Sequence, residues 1–595
     1  MNLTTLDWSF VFGFFIISLL IGLWASRKAG KSSAEFFLSG RNMPWWLLGV
    51  SMVATTFSAD TPNLVTDIVR KNGIGGNWVW WAFLLTGMLT VFVYAKLWRR
   101  SGILTDLEFY ELRYSGRAAA FLRGFRAIYL GVFFNIMIMA TVTLAAIKIG
   151  GVLLGLDPIQ TVLIASIVTV AYTSLGGLRG VILTDFFQFG IAMVGVIWAA
   201  AIIVNLPEIG SLHNLLTHEN VAGKLNFLPD FSDTSVVVPL FIMPLAVQWW
   251  AVWYPGAEPG GGGYIVQRML SAKDENNAVS ATLFFNIAHY ALRPWPWIII
   301  ALGSLVVFPD LDSLRQAFPN VADSVVDDDL AFSAMLTFLP SGLLGLVIAS
   351  LIAAFMSTIS THLNWGSSYV VNDFYKRFLN PEATERQLVA WGRISTVVLM
   401  FFAALLALAL TNALQAFNIL LQIGAGTGLI FILRWFWWRI NAWTEIAAMI
   451  VSFLVALVFE LGYPEVAAHV KLLTGIAITT TVWLLVTLNT APTDQQTLLS
   501  FYKLIKPWPR GWRPVIDRAI AEGDLQPEEV HPGQLPLELS CMVAGVFLVY
   551  GALFATGYWI YGETVNALIG SAVALAAGFF LYRTWPQIAG RSKKN

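Results

Sequence analysis

Apolar runs of membrane-spanning length recur along nearly the whole chain, and nothing else in the sequence restricts the fold so strongly. A helix crossing the hydrocarbon core of a bilayer needs roughly 20 mostly apolar residues, because lipid cannot satisfy backbone N–H and C=O groups. About fifteen stretches meet that requirement: residues 8–25, 44–69, 74–98, 127–154, 159–175, 181–206, 235–267, 279–308, 342–369, 388–410, 414–438, 443–461, 472–488, 539–561 and 565–581, the seventh of them interrupted. Of 595 residues, 57% are hydrophobic and 12% charged, against about 25% charged in an average soluble domain. Mean hydropathy is +0.68. A soluble chain of this length needs far more polar surface, so the sequence predicts an all-α polytopic membrane protein.

Charge placement sets the expected orientation. No basic stretch precedes the first run, and Arg27, Lys28 and Lys31 follow it. That is the reverse of a secretory signal peptide, so the run reads as a retained span. Loops on the cytoplasmic side carry an excess of Lys and Arg. With the N-terminus outside and one crossing per run, inner loops receive Arg99, Arg100, Arg113, Arg117 and Arg123, then Lys376, Arg377 and Arg386, then Lys503, Lys506, Arg510, Arg513 and Arg518. Outer loops keep little beyond Arg70, Lys71, Lys224 and Arg315. The expectation is a multi-pass cell-membrane protein (plasma or inner membrane) with its N-terminus outside and its C-terminus cytoplasmic.

The remaining composition excludes more than it assigns. Net charge is zero, which gives no sign of a nucleic-acid partner, and no obligate protein partner is inferred. The single cysteine, Cys541, rules out an intramolecular disulfide and reads as a small core residue. The acidic stretch 309–340, with Asp310, Asp312, Asp323, Asp327, Asp328 and Asp329, reads as a solvated outer loop, with an outer lid as the alternative. Residues 491–535 form a mixed-charge, Pro-punctuated inner segment with too few apolar residues for a core of its own.

Two spans are broken. The second contains Ala54-Thr55-Thr56-Phe57-Ser58-Ala59-Asp60-Thr61-Pro62-Asn63, which places small, polar and acidic residues plus a proline mid-helix. The seventh contains Tyr254-Pro255-Gly256-Ala257-Glu258-Pro259-Gly260-Gly261-Gly262-Gly263, which opposes continuous helix. With the first span set aside, the breaks open two successive sets of five helices. Equivalent breaks in two halves point to an inverted-repeat transporter, where freed carbonyls meet ions out of reach of lipid.

The ninth span carries Ala353-Ala354-Phe355-Met356-Ser357-Thr358-Ile359-Ser360-Thr361-His362-Leu363-Asn364. At 3.6 residues per turn Ala354, Ser357, Thr358 and Thr361 share a face, with Ser360 and Asn364 beside them. Such an oxygen-rich wall suits a hard monovalent cation, or the hydroxyls merely bond preceding carbonyls. Asp185, just inside the sixth span, is a carboxylate that at mid-helix costs about 2.5–3.5 kcal/mol to insert, so it is expected to pair, bind or titrate.

These strings resemble the sodium:solute symporter family. The resemblance rests on Gly176-Gly177-x-x-Gly180-Val181-x-x-Thr184-Asp185-x-x-Gln188, on Gln267-Arg268 followed by Ala272-Lys273, and on the 353–364 string with Asp373-x-Tyr375. It implies a LeuT-like 5+5 inverted repeat with one extra N-terminal helix and about four extra C-terminal helices. The corresponding units are residues 1–43 (extra helix and inner loop), 44–206 and 207–438 (the two repeats), 439–490 (extra helices), 491–535 (cytoplasmic segment) and 536–595 (last two helices and tail). Carried over by position, the resemblance implies a first Na+ site at Ala54, Phe57, Ala354, Ser357 and Thr358. It implies a second at Asp185, Ser357, Ser360 and Thr361. No covalent chemistry is expected, and the chain is read as a transporter and not an enzyme.

Departures from sugar-carrying relatives shape the solute expectation. Where those place Asn, Gln, a Glu and an aromatic gate, this chain has Thr56 and Thr61, Trp80, and Glu258 among prolines and glycines. The expected solute site is Thr56, Asp60, Thr61, Trp80, Gln248, Trp253, Glu258 and Arg293. An arginine at that depth either clamps a carboxylate or pairs with Asp60 or Glu258, and a Trp-rich cavity alternatively holds an amine. The leading expectation is Na+-coupled import of a small organic solute, an amino acid or organic acid favoured over a sugar. A proton-coupled carrier of the same fold, with Asp185 titrating, and a transporter-like sensor are the rivals.

Overall fold

Twelve helical segments among the described residues are long and apolar enough to cross a bilayer. The structure, a computed structural model, describes residues 3–29, 31–56, 58–252, 259–319, 321, 323, 326–410 and 421–588. In chain order the elements used below are α1 (Thr5–Ala29), α2 (Trp45–Thr56), α3 (Asp60–Asn72), α4 (Ile74–Ser101), α5 (Gly116–Leu154) and α6 (Pro158–Val204). Then come α7 (Thr234–Ala251), α8 (Gly263–Ser271), α9 (Glu275–Val307), α10 (Leu343–Leu379) and α11 (Glu385–Ala407). The last are α12 (Gly428–Phe436), α13 (Ala442–Gly462), α14 (Ala468–Asn489), α15 (Leu535–Tyr561) and α16 (Thr564–Ile588). No strand occurs among the described residues; two isolated bridges, Met43 with Ala272 and Val252 with Ala425, tie the ends of α2 and α8 and of α7 and α12.

The difference between fifteen runs and twelve long helices has local causes. The second run is split into α2 and α3. The fifth and sixth join in the single 47-residue α6, kinked at Gly177, where φ is +53°, a conformation that disfavours any side chain. In the eleventh run residues 411–420 lie outside the described residues, and α12 is its described end.

Burial ranks the helices from centre to rim. The apolar window of α10 is 89% buried, whereas that of α16 is 17% buried. Thus α10 is the axis of the bundle, and α16 faces lipid. Helix α1 packs along α6 and α10. Its buried Asp7 accepts hydrogen bonds from the Gly342 and Gly345 amides at 2.7 and 2.8 Å, a carboxylate set against the first turn of α10. A Cβ on Gly345 would stand 2.3 Å from Asp7 Cα, so glycine is what permits the close approach. The two parts of the broken span take different partners. Helix α2 packs against α6, α10 and the first half of α9; α3 packs against α5 and the second half of α9.

In the acidic stretch 309–340 Asp310, Asp312 and Asp323 are exposed, as a solvated loop requires, but residues 327–336 depart from that expectation. Asp328 pairs with Arg70 at 2.7 Å, Asp327 with Lys71 at 3.2 Å, and Asp329 with Lys148 at 2.6 Å. The helix that follows, Leu330–Leu336, is buried throughout. Three consecutive carboxylates meet three cations from α3 and α5, which the acidic composition alone did not reveal. Residues 491–535 use their few apolar side chains to dock: Phe501 stacks on Trp512 at 5.4 Å, and Trp512 Nε1 donates to the Trp435 carbonyl at 2.9 Å.

Candidate functional site

Helix α2 ends at Thr56, and α3 resumes at Asp60. Pro62 lies in the first turn of α3, where its missing N–H leaves no intrahelical bond unmade. Polar side chains flank the break. Thr56 Oγ1 donates back to the Met52 and Val53 carbonyls at 3.0 Å, and Thr61 Oγ1 donates to the Thr56 carbonyl at 3.3 Å.

Beside this break lies a cavity of about 140 Å³ enclosed by α2, α3, α4, α5, α8, α9 and α10. Thr56, Asp60, Thr61, Trp80 and Arg293, all expected from the sequence, line it together with Tyr264, His289, Tyr290 and His362. Trp80 stacks on Tyr290 with ring centroids 5.7 Å apart, and its Nε1 is spent on Asn77 Oδ1 at 2.9 Å, so it presents an apolar wall. His289 bridges two of the expected residues: Nδ1 is 3.2 Å from Thr56 Oγ1, and Nε2 is 3.4 Å from the Arg293 guanidinium. Arg293 also donates to the Val53 carbonyl at 3.4 Å and lies over Trp297 at 5.2 Å. Asp60 Oδ1 and Ser58 Oγ are buried with no hydrogen-bond partner among the described residues. A buried, unpaired carboxylate oxygen on a cavity wall is a ready acceptor for a ligand's N–H groups.

Next to the cavity, α2, α6, α8 and α10 converge on an oxygen cluster. Asp185 is fully buried, and its two oxygens accept from Ser51 Oγ and Ser357 Oγ, each at 2.5 Å. Thr358 Oγ1 donates to the Thr55 carbonyl at 2.7 Å. Thr361 Oγ1 is 3.1 Å from Thr55 Oγ1, and Ser360 Oγ donates to the Ser357 carbonyl at 3.1 Å. The groups that α2, α6 and α10 bring are carboxylate, hydroxyl and carbonyl oxygens, the set a hard cation prefers. Ser357, expected in both ion sites, turns its hydroxyl to Asp185. The carbonyl opposite Thr358 belongs to Thr55, one residue beyond the expected Ala54. Ala54 on α2 and Ala354 on α10 are buried, and Phe57 lies outside the described residues.

One further expectation needs adjustment. Gln248 is not among the residues lining the cavity; its amide donates to the Val79 carbonyl at 3.2 Å, because α7 sits behind α4. Trp253 and Glu258 lie outside the described residues. The largest omission is Arg268. Its side chain is 0% exposed and donates to Ser51, Thr55, Thr361 and Gln267 at 2.7–3.3 Å, with Asp185 Oδ2 3.9 Å away. The Gln267-Arg268 string signalled it, but only packing places it in the cluster.

A broken helix crossing a buried polar axis, with an oxygen cluster beside a small cavity, is a transporter's arrangement. The sequence model of the "Sodium:solute symporter family" matches residues 36–452, more than half of the chain. The chain belongs to the sodium:solute symporter family. The sodium/glucose cotransporter of Vibrio parahaemolyticus is 25% identical over 468 residues, covering 75% of this chain and 84% of that one. The sodium/sialic acid symporter of Proteus mirabilis is 26% identical over 476 residues, covering 77% and 90%. Among solved structures, the substrate-bound outward-open state of a Na+-coupled sialic acid symporter superimposes with a TM-score of 0.65. It is 21% identical, covers 83% of this symporter and is itself covered completely. The symporter therefore shares the LeuT-like transporter fold.

Proposed function

We propose that this symporter imports a small solute carrying both a carboxylate and an amino group, driven by Na+ moving in the same direction. The observation that carries the reading is a shared wall. Thr55 and Thr358 line the solute cavity, and the same two residues make the 2.7 Å hydroxyl–carbonyl contact between α2 and α10. An ion held there touches the wall the solute touches, so each ligand stabilises the conformation that the other binds.

The cavity argues for the solute class. A cavity of about 150 Å³ admits benzene, so 140 Å³ favours a small molecule over a disaccharide or a sialic acid. Asp60 offers an unpaired carboxylate oxygen to an ammonium, and Arg293 offers a guanidinium to a carboxylate across the same space. Sodium is proposed at two places: Thr358 with the α2 carbonyls, and Asp185 with Ser357, Ser360 and Thr361. In each cycle sodium favours a solute-competent state open to the outside, and release follows on the basic face, with the two halves 44–206 and 207–438 moving against one another. The basic face is proposed as cytoplasmic, with the N-terminus outside.

Proton coupling is the second reading, since Asp185 is fully buried. The Arg268 guanidinium stands 3.9 Å from its Oδ2, and a cation that close favours the ionised carboxylate, hence an ion ligand over a proton carrier. Uptake of a radiolabelled amino-acid panel, with glucose and sialic acid, into proteoliposomes tests the proposal. Amino-acid accumulation that needs inward Na+ and disappears in choline at fixed pH supports it, and Asp60→Asn is expected to abolish that accumulation. Accumulation driven by a pH gradient without Na+ refutes sodium coupling, and sugar uptake with no amino-acid uptake refutes the solute class.

A further inference from the structure

We infer that Arg268 is a tethered cation that competes with sodium for the Asp185 site, and that sodium enters there only when Arg268 withdraws. The inference rests on the sodium-coupled reading above and concerns what the second ion must displace.

The geometry is specific. A guanidinium has five N–H donors and no acceptor. Here they go to hydroxyl and amide oxygens: Nε to Ser51 at 3.2 Å, one terminal nitrogen to Gln267 Oε1 at 3.0 Å, and the other to Thr361 at 2.7 Å and Thr55 at 3.3 Å. Asp185 Oδ2 is 3.9 Å away and takes its short bond from Ser51 instead. The positive charge beside Asp185 is therefore delivered through hydroxyl oxygens. Thr361, one of the oxygens proposed to ligate sodium, accepts the shortest of the arginine's bonds.

Charge and lone pairs both make the two cations exclusive. One fully buried carboxylate balances one cation; a second leaves an uncompensated charge where water cannot reach it. A hydroxyl oxygen that accepts from Arg268 also has that lone pair pointed away from an ion. The short α8, which carries Arg268, follows a glycine run with φ of +82° at Gly260 and +84° at Gly261, so its approach to α10 is set by backbone that only glycine adopts easily. Sodium entry at Asp185 then parts Arg268 from Thr361 and moves α8 against α10, and return of Arg268 expels the ion. The second ion thus reports directly on the inner half of the broken seventh span.

The test is thermal stability of the purified symporter against NaCl, with choline chloride holding ionic strength, for wild type, Arg268→Gln, Arg268→Lys and Arg268→Gln/Asp185→Asn. Arg268→Gln keeps an amide donor but removes the competing charge, so its half-saturating NaCl is expected to fall about tenfold or more. Arg268→Lys keeps the charge and stays near wild type. Asp185→Asn removes the gain. An Arg268→Gln protein that melts lower at every NaCl concentration with unchanged half-saturation overturns the inference, because that is the signature of a packing role alone. A wild type with no sodium response overturns the sodium-coupled reading and this inference with it. Should Arg268→Gln not fold, hydrogen exchange on wild type decides. NaCl is expected to speed exchange in 263–271 relative to choline, and Asp185→Asn to lose that effect. Unchanged exchange there overturns the inference.

Discussion

Lys148 and Asp329 form a buried pair whose energetics separate a tied-down outer segment from a solvated one. Lys148 Nζ donates to both Asp329 oxygens, at 2.7 and 2.6 Å, and the two residues are 2% and 3% exposed. Removing one partner of such a pair strands a desolvated charge and costs about 3–5 kcal/mol, whereas replacing both with apolar side chains is often near neutral. Lys148→Met keeps the length of the stem and removes the ammonium, so it is expected to destabilise by about 3–5 kcal/mol. Asp329→Leu alone strands the ammonium and is expected to cost a similar amount. The double variant is expected within about 1 kcal/mol of wild type, a coupling of about 5 kcal/mol or more. Equilibrium unfolding in mixed micelles with rising SDS fraction, followed by helical circular dichroism, gives all four corners of the cycle. A Lys148→Met cost below about 1 kcal/mol, or a double variant equal to the sum of the singles, refutes the argument that the pair is sealed from solvent.

Thr358→Ala removes the hydroxyl that meets the Thr55 carbonyl at 2.7 Å, and the Na+ concentration for half-maximal uptake is expected to rise about tenfold or more; an unchanged sodium dependence places the ion elsewhere. Gly345→Val drives a side chain into Asp7 backbone, since even a Cβ would stand 2.3 Å from Asp7 Cα. The expected result is loss of monodisperse protein on size-exclusion chromatography, with Gly578→Ala, where the nearest atom to a new Cβ is 3.6 Å away, as the tolerated control. Glu111, on the basic face outside the spans, feels burial that raises its pKa, but hydrogen bonds from Arg377 and Arg123 prevail and hold it below the ordinary 4.5. A carboxyl lowered in the folded state contributes stability that is full above pH 4.5 and lost as pH falls through the lowered value. The melting temperature of wild type is therefore expected to exceed that of Glu111→Gln at neutral pH, and the gap to close in acid; a gap that widens in acid contradicts the sign.

What this sequence determined by itself is what depends on neighbours within a few turns. Span positions follow from runs of apolar residues, because a bilayer reads hydropathy over about 20 residues at a time. The break before Asp60 follows from the Thr-Ser-Asp-Pro chemistry of 55–62, and the polar face of α10 from the helical repeat of Ser357, Thr358 and Thr361. Five of the expected solute residues line one cavity: Thr56, Asp60 and Thr61 because the break that marked them also borders it, and Trp80 and Arg293 because α4 and α9 pack beside that break. Gln248 shows the limit: a polar residue near a break has two sides, and its bond to Val79 sends it behind α4. The tertiary structure alone decided the partners of the buried charges. Arg268 reaches Thr361 and Ser51, Lys148 reaches Asp329, and Asp328 reaches Arg70, across 93 to 258 residues of chain. A buried charge must find compensation, but local sequence does not say where, and for Arg268 the answer is the cluster that sodium is proposed to enter.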